Sequence, residues 1–225
     1  RRDGSIDLVV LRAATPGLTV AADEAKGVAG RVNALPTSFV LGRVEKARDD
    51  FARQATKLLK ALAGARDALD VAPALLGDDR PRTYFVLIQQ TSESRGTGGL
   101  PGGFAILQAR AGRLRLLNEG SNAELPNGTI APAGLPKDYV DRYTQLGAFD
   151  IWQNINVSPD LPVVSRYIGQ RWQAQTGQHI DGVVALDAVA LADLLRGSGP
   201  VHVCEGQSVR PDKRDAFLPL GQCAG

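Results

Sequence analysis

The sequence predicts an α/β protein, with a mixed central sheet flanked by helices and a long antiparallel α-helical hairpin in front of it. Before the sheet, apolar side chains recur at spacings of three and four, which is the period of a helix. From Thr83 onward, short apolar runs alternate with glycine-rich turns and short helical segments, as in α/β domains. We therefore expect residues 1–77 to form the hairpin and residues 78–225 the α/β domain.

The length, composition and net charge of the chain narrow the class of protein. A chain of 225 residues can bury one well-filled core, and 44% hydrophobic with 22% charged residues is ordinary for a globular protein. A net charge of +2, basic residues spread along the chain and 5% aromatics disfavour a nucleic-acid partner. No apolar run reaches the ~18 residues of a membrane span. Because the sequence starts at Arg1 and contains no methionine, we expect a processed or excised fragment, with any membrane span or signal peptide removed upstream.

Two helices are expected before the sheet, joined by a short connection and therefore antiparallel. The face of the first consists of Leu18, Ala21, Ala25, Val28, Val32 and Leu35. The face of the second consists of Val40, Val44, Ala47, Phe51, Ala55, Leu58, Leu62, Ala65 and Leu69. Pro36 ends the first helix, Thr37 or Ser38 caps the second, and that helix extends to about Asp70. This arm is typical of a structural stalk.

Two stretches around the arm contain less helical signal. The apolar stretch before Pro16-Gly17 is of uncertain type and is expected to end there. Residues 73–82 are interpreted as a linker to the sheet.

The strands of the sheet come next. Residues 83–90 form a strand buried on both faces, and residues 104–109 and 113–118 form a hairpin around the Ala111-Gly112 turn. The turn-rich stretch 119–150 is long for a loop inside a compact domain, so it should be functional or mobile.

A helix, a strand, a short helix and a strand complete the domain. Ser158 is the expected N-cap and Pro159 the first helical residue, with Val164, Ile168 and Trp172 on one face. Residues 180–186 form a buried strand, Asp187 caps a short helix, and residues 201–203 form the last strand. Strand, helix and strand in this order predict a right-handed parallel crossover.

The loop between the first two strands is the main candidate site. It contains five glycines around one charged pair, Glu93 and Arg95. Glycines let backbone N–H groups approach a ligand closely, and an arginine beside them holds phosphate or carboxylate with parallel hydrogen bonds. The alternative is a mobile surface loop or a wide hairpin turn. The spacing matches neither a Walker A nor a G-x-G-x-x-G motif.

The cysteines and histidines exclude some chemistry. Cys204 and Cys223 close a short C-terminal loop, which favours a disulfide and an oxidising compartment over two free thiols. Two thiols with His202 nearby are too few for a structural metal site. With two histidines and no G-x-S-x-G elbow, a serine or cysteine triad is disfavoured.

Three motifs resemble those of the DUF4012 domain of bacterial, largely actinobacterial, envelope proteins. The first motif comprises Glu93, Arg95, Thr97, Gly98 and Gly99; the second Asn156, Ser158, Pro159, Asp160 and Pro162; the third Asp181, Gly182, Val183 and Asp187. The resemblance covers residues 82–203. It implies an extracytoplasmic protein whose helical arm follows a membrane helix.

DUF4012 is in turn distantly similar to the LytR-CpsA-Psr domain, which is implicated in moving a glycan polymer from a polyprenyl-pyrophosphate carrier onto the cell wall. The resemblance implies an LytR-CpsA-Psr-like fold with Arg95 as the phosphate-binding arginine. The other ligand-binding candidates are Thr97, Gly98, Gly99, Arg113, Asn122, Asn156 and Ser158. The aspartate pair that would hold Mg²⁺ in that family is not evident; this chain has Asn122 and Glu124 there.

Two functional hypotheses follow from the resemblance. In the first, Arg95 holds the pyrophosphate of a polyprenyl-linked glycan, and Glu93 or Asp160 binds Mg²⁺ or acts as a base. In the second, the domain is a non-catalytic envelope module that binds protein or glycan. In that case Glu93 orients Arg95 through an ion pair and Asp160 caps a helix.

Overall fold

The computed structural model describes residues 5–34, 42–195, 201–204 and 207–209. Its helices are α1 (Leu8–Asn33), α2 (Gly42–Leu75), α3 (Lys137–Tyr143), α4 (Leu161–Thr176) and α5 (Ala188–Leu195). Its strands are β1 (Arg82–Gln90), β2 (Leu100–Arg110), β3 (Arg113–Ser121), β4 (Gly182–Asp187), β5 (Val201–Cys204) and β6 (Gln207–Val209). The predicted mixed α/β class is confirmed. None of the helices in these ranges combines the length and hydropathy of a membrane span.

The chain divides into two compact units. One comprises Arg1–Arg82 with Ala109–Leu114, and the other comprises Thr83–Gln108 with Arg115–Gly225. The first contains α1, α2 and the turn between β2 and β3. The second contains the rest of the sheet, the core and the glycine-rich loop.

Helix α1 begins earlier than the sequence indicated. The Asp7 side chain caps it by accepting hydrogen bonds from the N–H groups of Val9 and Val10, at 3.0 and 3.2 Å. The helix then continues through Pro16, so the expected stop at Pro16-Gly17 is wrong. A proline removes one helical hydrogen bond. The half-buried side chains continue across it at helical spacing, namely Leu8, Leu11, Thr15, Leu18, Ala22 and Ala25.

Helix α2 packs against α1, as an antiparallel hairpin would require, but its inner face differs from the prediction. Phe51 and Leu58 are 40% and 51% exposed, whereas Ala52 and Leu59 are half-buried. Of the predicted face, Ala55, Leu62 and Leu69 are half-buried as expected, and these positions repeat every seven residues, as in a two-helix coiled coil. The proposed cap at Thr37 or Ser38 lies outside the described residues.

Helix α2 also ends later than expected. It passes through Pro73 and ends at Leu75, which shortens the predicted linker. The N–H of Asp78 donates to the carbonyl of Pro73 at 3.1 Å, and that of Gly77 to Ala74 at 3.2 Å. With Gly77 left-handed at φ 72°, this is a Schellman C-cap.

The central sheet has the strand order β3-β2-β1-β4. Strands β1 and β4 are parallel, with Tyr84 opposite Gly182. Ala111 and Gly112 connect β2 to β3 with φ values of 48° and 79°, so both lie in the left-handed region that a type I′ turn requires. The hairpin turn predicted here is confirmed.

The core lies between one face of β1 and β2 and helix α4. Phe85 is fully buried, and its ring lies 5.7 Å from that of Trp152 and 5.4 Å from that of Trp172. Other core members are Leu87, Phe104, Ile106, Ile155, Val164, Tyr167, Ile168 and Ile180. The face predicted for α4 (Val164, Ile168 and Trp172) is therefore confirmed.

The last strands form a sheet of their own. Strand β5 pairs antiparallel with β6, with Val201 opposite Val209, and does not join β4 in the described sheet. The predicted parallel crossover from β4 is wrong, because β5 pairs with β6 in a separate sheet.

The long stretch between β3 and α4 is held in place by hydrogen bonds from side chains of α4. The Tyr167 hydroxyl lies 2.8 Å from the carbonyl oxygens of both Ile130 and Phe149. The guanidinium of Arg171, which is fully buried, donates to the carbonyls of Phe149 at 3.0 Å and Asp150 at 2.9 Å. Burial lowers the pKa of Arg171. This stretch, predicted to be functional or mobile, is fixed by side chains that bond to its main chain.

Candidate functional site

The glycine-rich loop connects β1 to β2 at one end of the sheet. Within it, the N–H of Leu100 donates to the carbonyl of Glu93 at 2.9 Å, and that of Gly98 donates to Arg95 at 3.1 Å. The N–H groups of residues 94–97 donate to no acceptor in the described part of the chain. The loop thus has a defined turn and four consecutive amide groups without an acceptor in the described part of the chain.

The first and second motifs meet in a buried hydrogen-bond cluster. Asn156 is fully buried, and its amide nitrogen donates to the Thr97 hydroxyl and to the carbonyl of Gly99, both at 2.8 Å. The buried Gln89, at the end of β1, also donates to the Thr97 hydroxyl, at 2.5 Å. Asn156 therefore fixes the loop through Thr97 and Gly99, while its own amide oxygen is buried without a hydrogen-bond partner in the described part of the chain.

Gly96 shows why the loop needs glycine. A Cβ at this position would lie 2.2 Å from the carbonyl carbon of Ser158 and 2.5 Å from the carbonyl oxygen of Val157. These distances are far shorter than any van der Waals contact, so the loop packs on the backbone of the second motif only because residue 96 has no side chain.

The rest of the second motif begins helix α4. Asp160, not Ser158, is its N-cap, and the carboxylate accepts from the N–H of Val163 at 3.1 Å. Pro162 lies in the first turn. The predicted start at Ser158 and Pro159 is therefore wrong by two residues, because the hydroxyl of Ser158 accepts from the N–H of Asp160 at 3.1 Å and forms a turn before the helix.

Ser158 is buried and also bonds to a tyrosine. Its side chain forms a hydrogen bond with the Tyr139 hydroxyl. Burial raises the pKa of Tyr139, and the bond to Ser158 opposes that shift. Ser158 therefore connects α3 to the second motif and is not exposed to a ligand.

Arg95 is the candidate residue that faces a depression. Its half-buried side chain lines an open hollow of about 400 Å³ together with Ser94, Gly96, Leu146, Asn154 and Val157. Its guanidinium donates to the carbonyl of Ser94 at 3.0 Å. Glu93 is exposed, and no ion pair joins it to Arg95. The hollow is neither the deep apolar groove that a polyprenyl chain would need nor a surface on which Glu93 neutralises Arg95.

Two of the ligand-binding candidates lie elsewhere. Asn122 is buried at 5% exposure, and its amide nitrogen donates to the carbonyl of Pro101 at 2.6 Å. Arg113 is exposed beside the hairpin turn, in the other compact unit from Arg95. Within its own unit, the structure brings together Arg95, Thr97, Gly98, Gly99, Asn156 and Ser158.

The aspartates of the third motif bond to the main chain of β1 and of α5. The carboxylate of Asp181 accepts from the N–H of Thr83 at 2.8 Å, and its own N–H donates to the Thr83 carbonyl at 2.6 Å. Asp187 accepts from the N–H of Ala190 at 2.7 Å, which confirms its predicted role as the cap of α5. The carboxylates of both aspartates therefore accept hydrogen bonds from main-chain N–H groups.

The metal and disulfide expectations have different outcomes. In the ranges that the structure describes, no three His, Cys, Asp or Glu side chains are close enough together to hold a metal ion. The Mg²⁺ that the resemblance allows thus has no assigned set of ligands. No disulfide occurs in the described part of the chain, and Cys223 lies outside it, so the Cys204–Cys223 bond stays a prediction.

Sequence reasoning missed Gln89 and Tyr139, which bond to Thr97 and Ser158, and the buried Arg171 of α4. For Arg171 a signal was present, since Tyr167 and Arg171 fall inside the helical series that contains Val164, Ile168 and Trp172. A polar side chain within an apolar stripe indicates a buried hydrogen-bonding role. Gln89 shares the inward face of β1 with Phe85 and Leu87, by the alternation of a strand.

A comparison with known protein families gives one match for this chain. A family model described as "Protein of unknown function (DUF4012)" matches residues 79–219, more than half of the chain. The chain belongs to the DUF4012 family. The DUF4012 match includes the whole loop around Arg95, both buried asparagines and the aspartates of the third motif. No curated protein and no solved structure matches the chain.

Proposed function

We propose that this DUF4012 protein is an extracytoplasmic envelope protein that binds the phosphate-bearing head of a polyprenyl-linked glycan at the loop around Arg95. The supporting observation is the position of the guanidinium. It lines an open hollow and has no ion pair in the described part of the chain. A guanidinium beside amide donors matches the geometry of a phosphate group.

The surrounding loop supports binding because it is already ordered. Asn156 and Thr97 fix both sides of the turn, so little conformational entropy is lost when an anion binds. Leu146 and Val157 line the same hollow and offer apolar contact to the first isoprene units. The hollow is too open to enclose a longer chain, so recognition of the head group is the part that the geometry favours.

The geometry favours binding over glycan transfer. Among the three catalytic candidates, Asp160 is engaged as a helix cap. Glu93 is exposed and remains the one carboxylate of the first motif that is able to act as a base or hold Mg²⁺. Transfer in the manner of the LytR-CpsA-Psr domain is therefore a further proposal, and it would depend on Glu93.

The proposal is tested by measuring the binding of a short-chain polyprenyl phosphate, with and without Mg²⁺, to the wild type and to Arg95→Ala. We expect the substitution to weaken binding at least about tenfold, which corresponds to ~1.4 kcal/mol. Arg166→Ala removes an exposed arginine of α4 and should leave binding unchanged. The corresponding prenol, which lacks phosphate, should not bind either protein. Equal affinities of the wild type and Arg95→Ala would contradict the proposal.

A second candidate function is a non-catalytic envelope scaffold. It is favoured by the number of motif residues that serve the fold, since Asn156, Ser158, Asp160, Asp181 and Asp187 all bond to main-chain or buried groups. In that case no phosphorylated ligand binds the wild type.

A further inference from the structure

The strand β3 presents an unusual surface for the edge of a sheet. It lies at one end of the strand order, and residues 113–119 are all exposed. Leu114, Leu116 and Leu117 are 52%, 49% and 39% exposed. A long exposed edge strand with apolar side chains is a template for pairing with another strand.

The main-chain groups of β3 that point outward can be assigned from the turn. In a two-residue hairpin the flanking residues, Arg110 and Arg113, form a hydrogen-bonded pair, and the pattern then alternates along the strand. The even-numbered residues therefore direct N–H and C=O groups away from β2. The carbonyl of Gly112 agrees with this, because it accepts from the N–H of Ile6 at 2.9 Å. Leu116 and Asn118 then present their groups at the outer edge.

The charged side chains of β3 are complementary to those of a second β3 strand that runs antiparallel to it. Arg115 and Glu119 lie on the same side of the strand with Leu117 between them, about 14 Å apart at ~3.4 Å per residue, so they are too distant to pair with each other. If a second β3 runs antiparallel with Leu117 opposite Leu117, each Arg115 lies opposite a Glu119. The same register places Leu116 of one copy opposite Asn118 of the other. Both residues direct their main-chain N–H and C=O groups outward, so these groups can bond between the two strands.

We propose that the outer edge of β3 pairs antiparallel with β3 of a second copy of this chain, centred on Leu117. Opposite charges directly across a strand pair stabilise it, and like charges destabilise it. The sequence Arg-x-Leu-x-Glu supplies two such pairs per dimer and places the leucines in contact.

The test is a set of charge reversals on the intact chain, with the oligomeric state measured by sedimentation over a range of protein concentrations. The wild type should dimerise as the concentration rises. Arg115→Glu and Glu119→Arg should each weaken the dimer at least about tenfold, because like charges then face each other. The double variant should restore the dimer. Arg113→Glu is the matched control, because residue 113 faces Ser121 in this register and its reversal should leave dimerisation unchanged.

Several results would overturn the proposal. The wild type could remain a monomer at every concentration, or the double variant could fail to restore the dimer. Disruption by Arg113→Glu in place of Arg115→Glu would indicate another register. Slow hydrogen exchange of Leu116 and Asn118 that does not depend on concentration would show that a segment of the same chain covers the edge.

Discussion

At the scale of single residues, the buried polar side chains of the sheet-containing unit bond mainly to main-chain groups. Asn156 bonds to Gly99, Asn122 to Pro101 and Arg171 to Phe149 and Asp150. A buried side chain of this kind fixes the path of a loop, since the carbonyl it satisfies has no water to replace it. Arg95 differs from them, because within the described residues its guanidinium bonds only to the carbonyl of the preceding residue, Ser94.

Asn156→Ala should destabilise the protein and loosen the loop. The substitution leaves the buried carbonyl of Gly99 without its donor, at a cost of about 2 kcal/mol. We expect the free energy of unfolding in urea to fall by that amount, and the affinity for phosphate ligands to fall with it. Gln153→Ala, at an exposed position in the same segment, should change neither. Unchanged stability of Asn156→Ala would show that other contacts fix the loop.

The two buried tyrosines predict how stability depends on pH. Burial raises the pKa of Tyr139 and Tyr167 above the ordinary value of 10.0. The folded protein then holds these protons to higher pH than the unfolded chain does, so their contribution is complete below pH 10 and is lost as pH rises above it. Thermal unfolding measured across this window should show a falling melting temperature. The double variant Tyr139→Phe/Tyr167→Phe should show a shallower decline, and an identical slope would contradict the assignment.

At the scale of elements, the hairpin turn and the cap of a short helix were predictable, whereas helix faces and ends were less so. The Ala111-Gly112 hairpin and the cap at Asp187 follow from short sequence signals. The inner face of α2 does not, because alanines and leucines occur on several sides of that helix and only the contact with α1 selects among them. The start of α4 was misplaced because Ser158 and Asp160 are both good caps, and the bond between them decides which one begins the helix.

Substitutions at the two residues of the hairpin turn should change the melting temperature in opposite directions. Ala111 has a left-handed conformation, at φ 48°, that costs a residue with a Cβ about 1 kcal/mol, and asparagine tolerates it better. Ala111→Asn should therefore raise the melting temperature by a few degrees. Gly112→Ala should lower it, because the new Cβ would lie 2.1 Å from the carbonyl oxygen of Ile6. If both substitutions have the same effect, the turn is not of type I′.

At the scale of the whole molecule, the fold class was predictable and the roles of the site residues were not. Apolar runs, glycine-rich turns and helical spacing were enough to predict a mixed α/β protein with a helical arm. Whether a motif residue faces a ligand or the main chain depends on burial, which a pattern of residue types does not determine. Of the predicted site residues, Thr97, Asn156 and Ser158 bond to other groups of the protein, whereas Arg95 lines the hollow.

The contrast between helices α1 and α4 predicts uneven local stability. Helix α1 has no buried side chain, whereas α4 has six: Val163, Val164, Tyr167, Ile168, Arg171 and Trp172. Elements with few buried contacts open more readily. In native-state hydrogen exchange, amides of α1 should exchange at least about tenfold faster than those in the centre of α4. Equal protection would mean that α1 is covered by a partner or by another part of the protein.

The turn between β2 and β3 has a consequence for biosynthesis. Its amide groups donate to the last carbonyls of the helical arm: Ala111 to Gly77 at 2.8 Å and Gly112 to Leu76 at 2.9 Å. A ribosome adds residues in order, so the end of the arm emerges well before the groups that complete it. The nascent arm therefore acquires these two bonds only after residue 112 has left the exit tunnel.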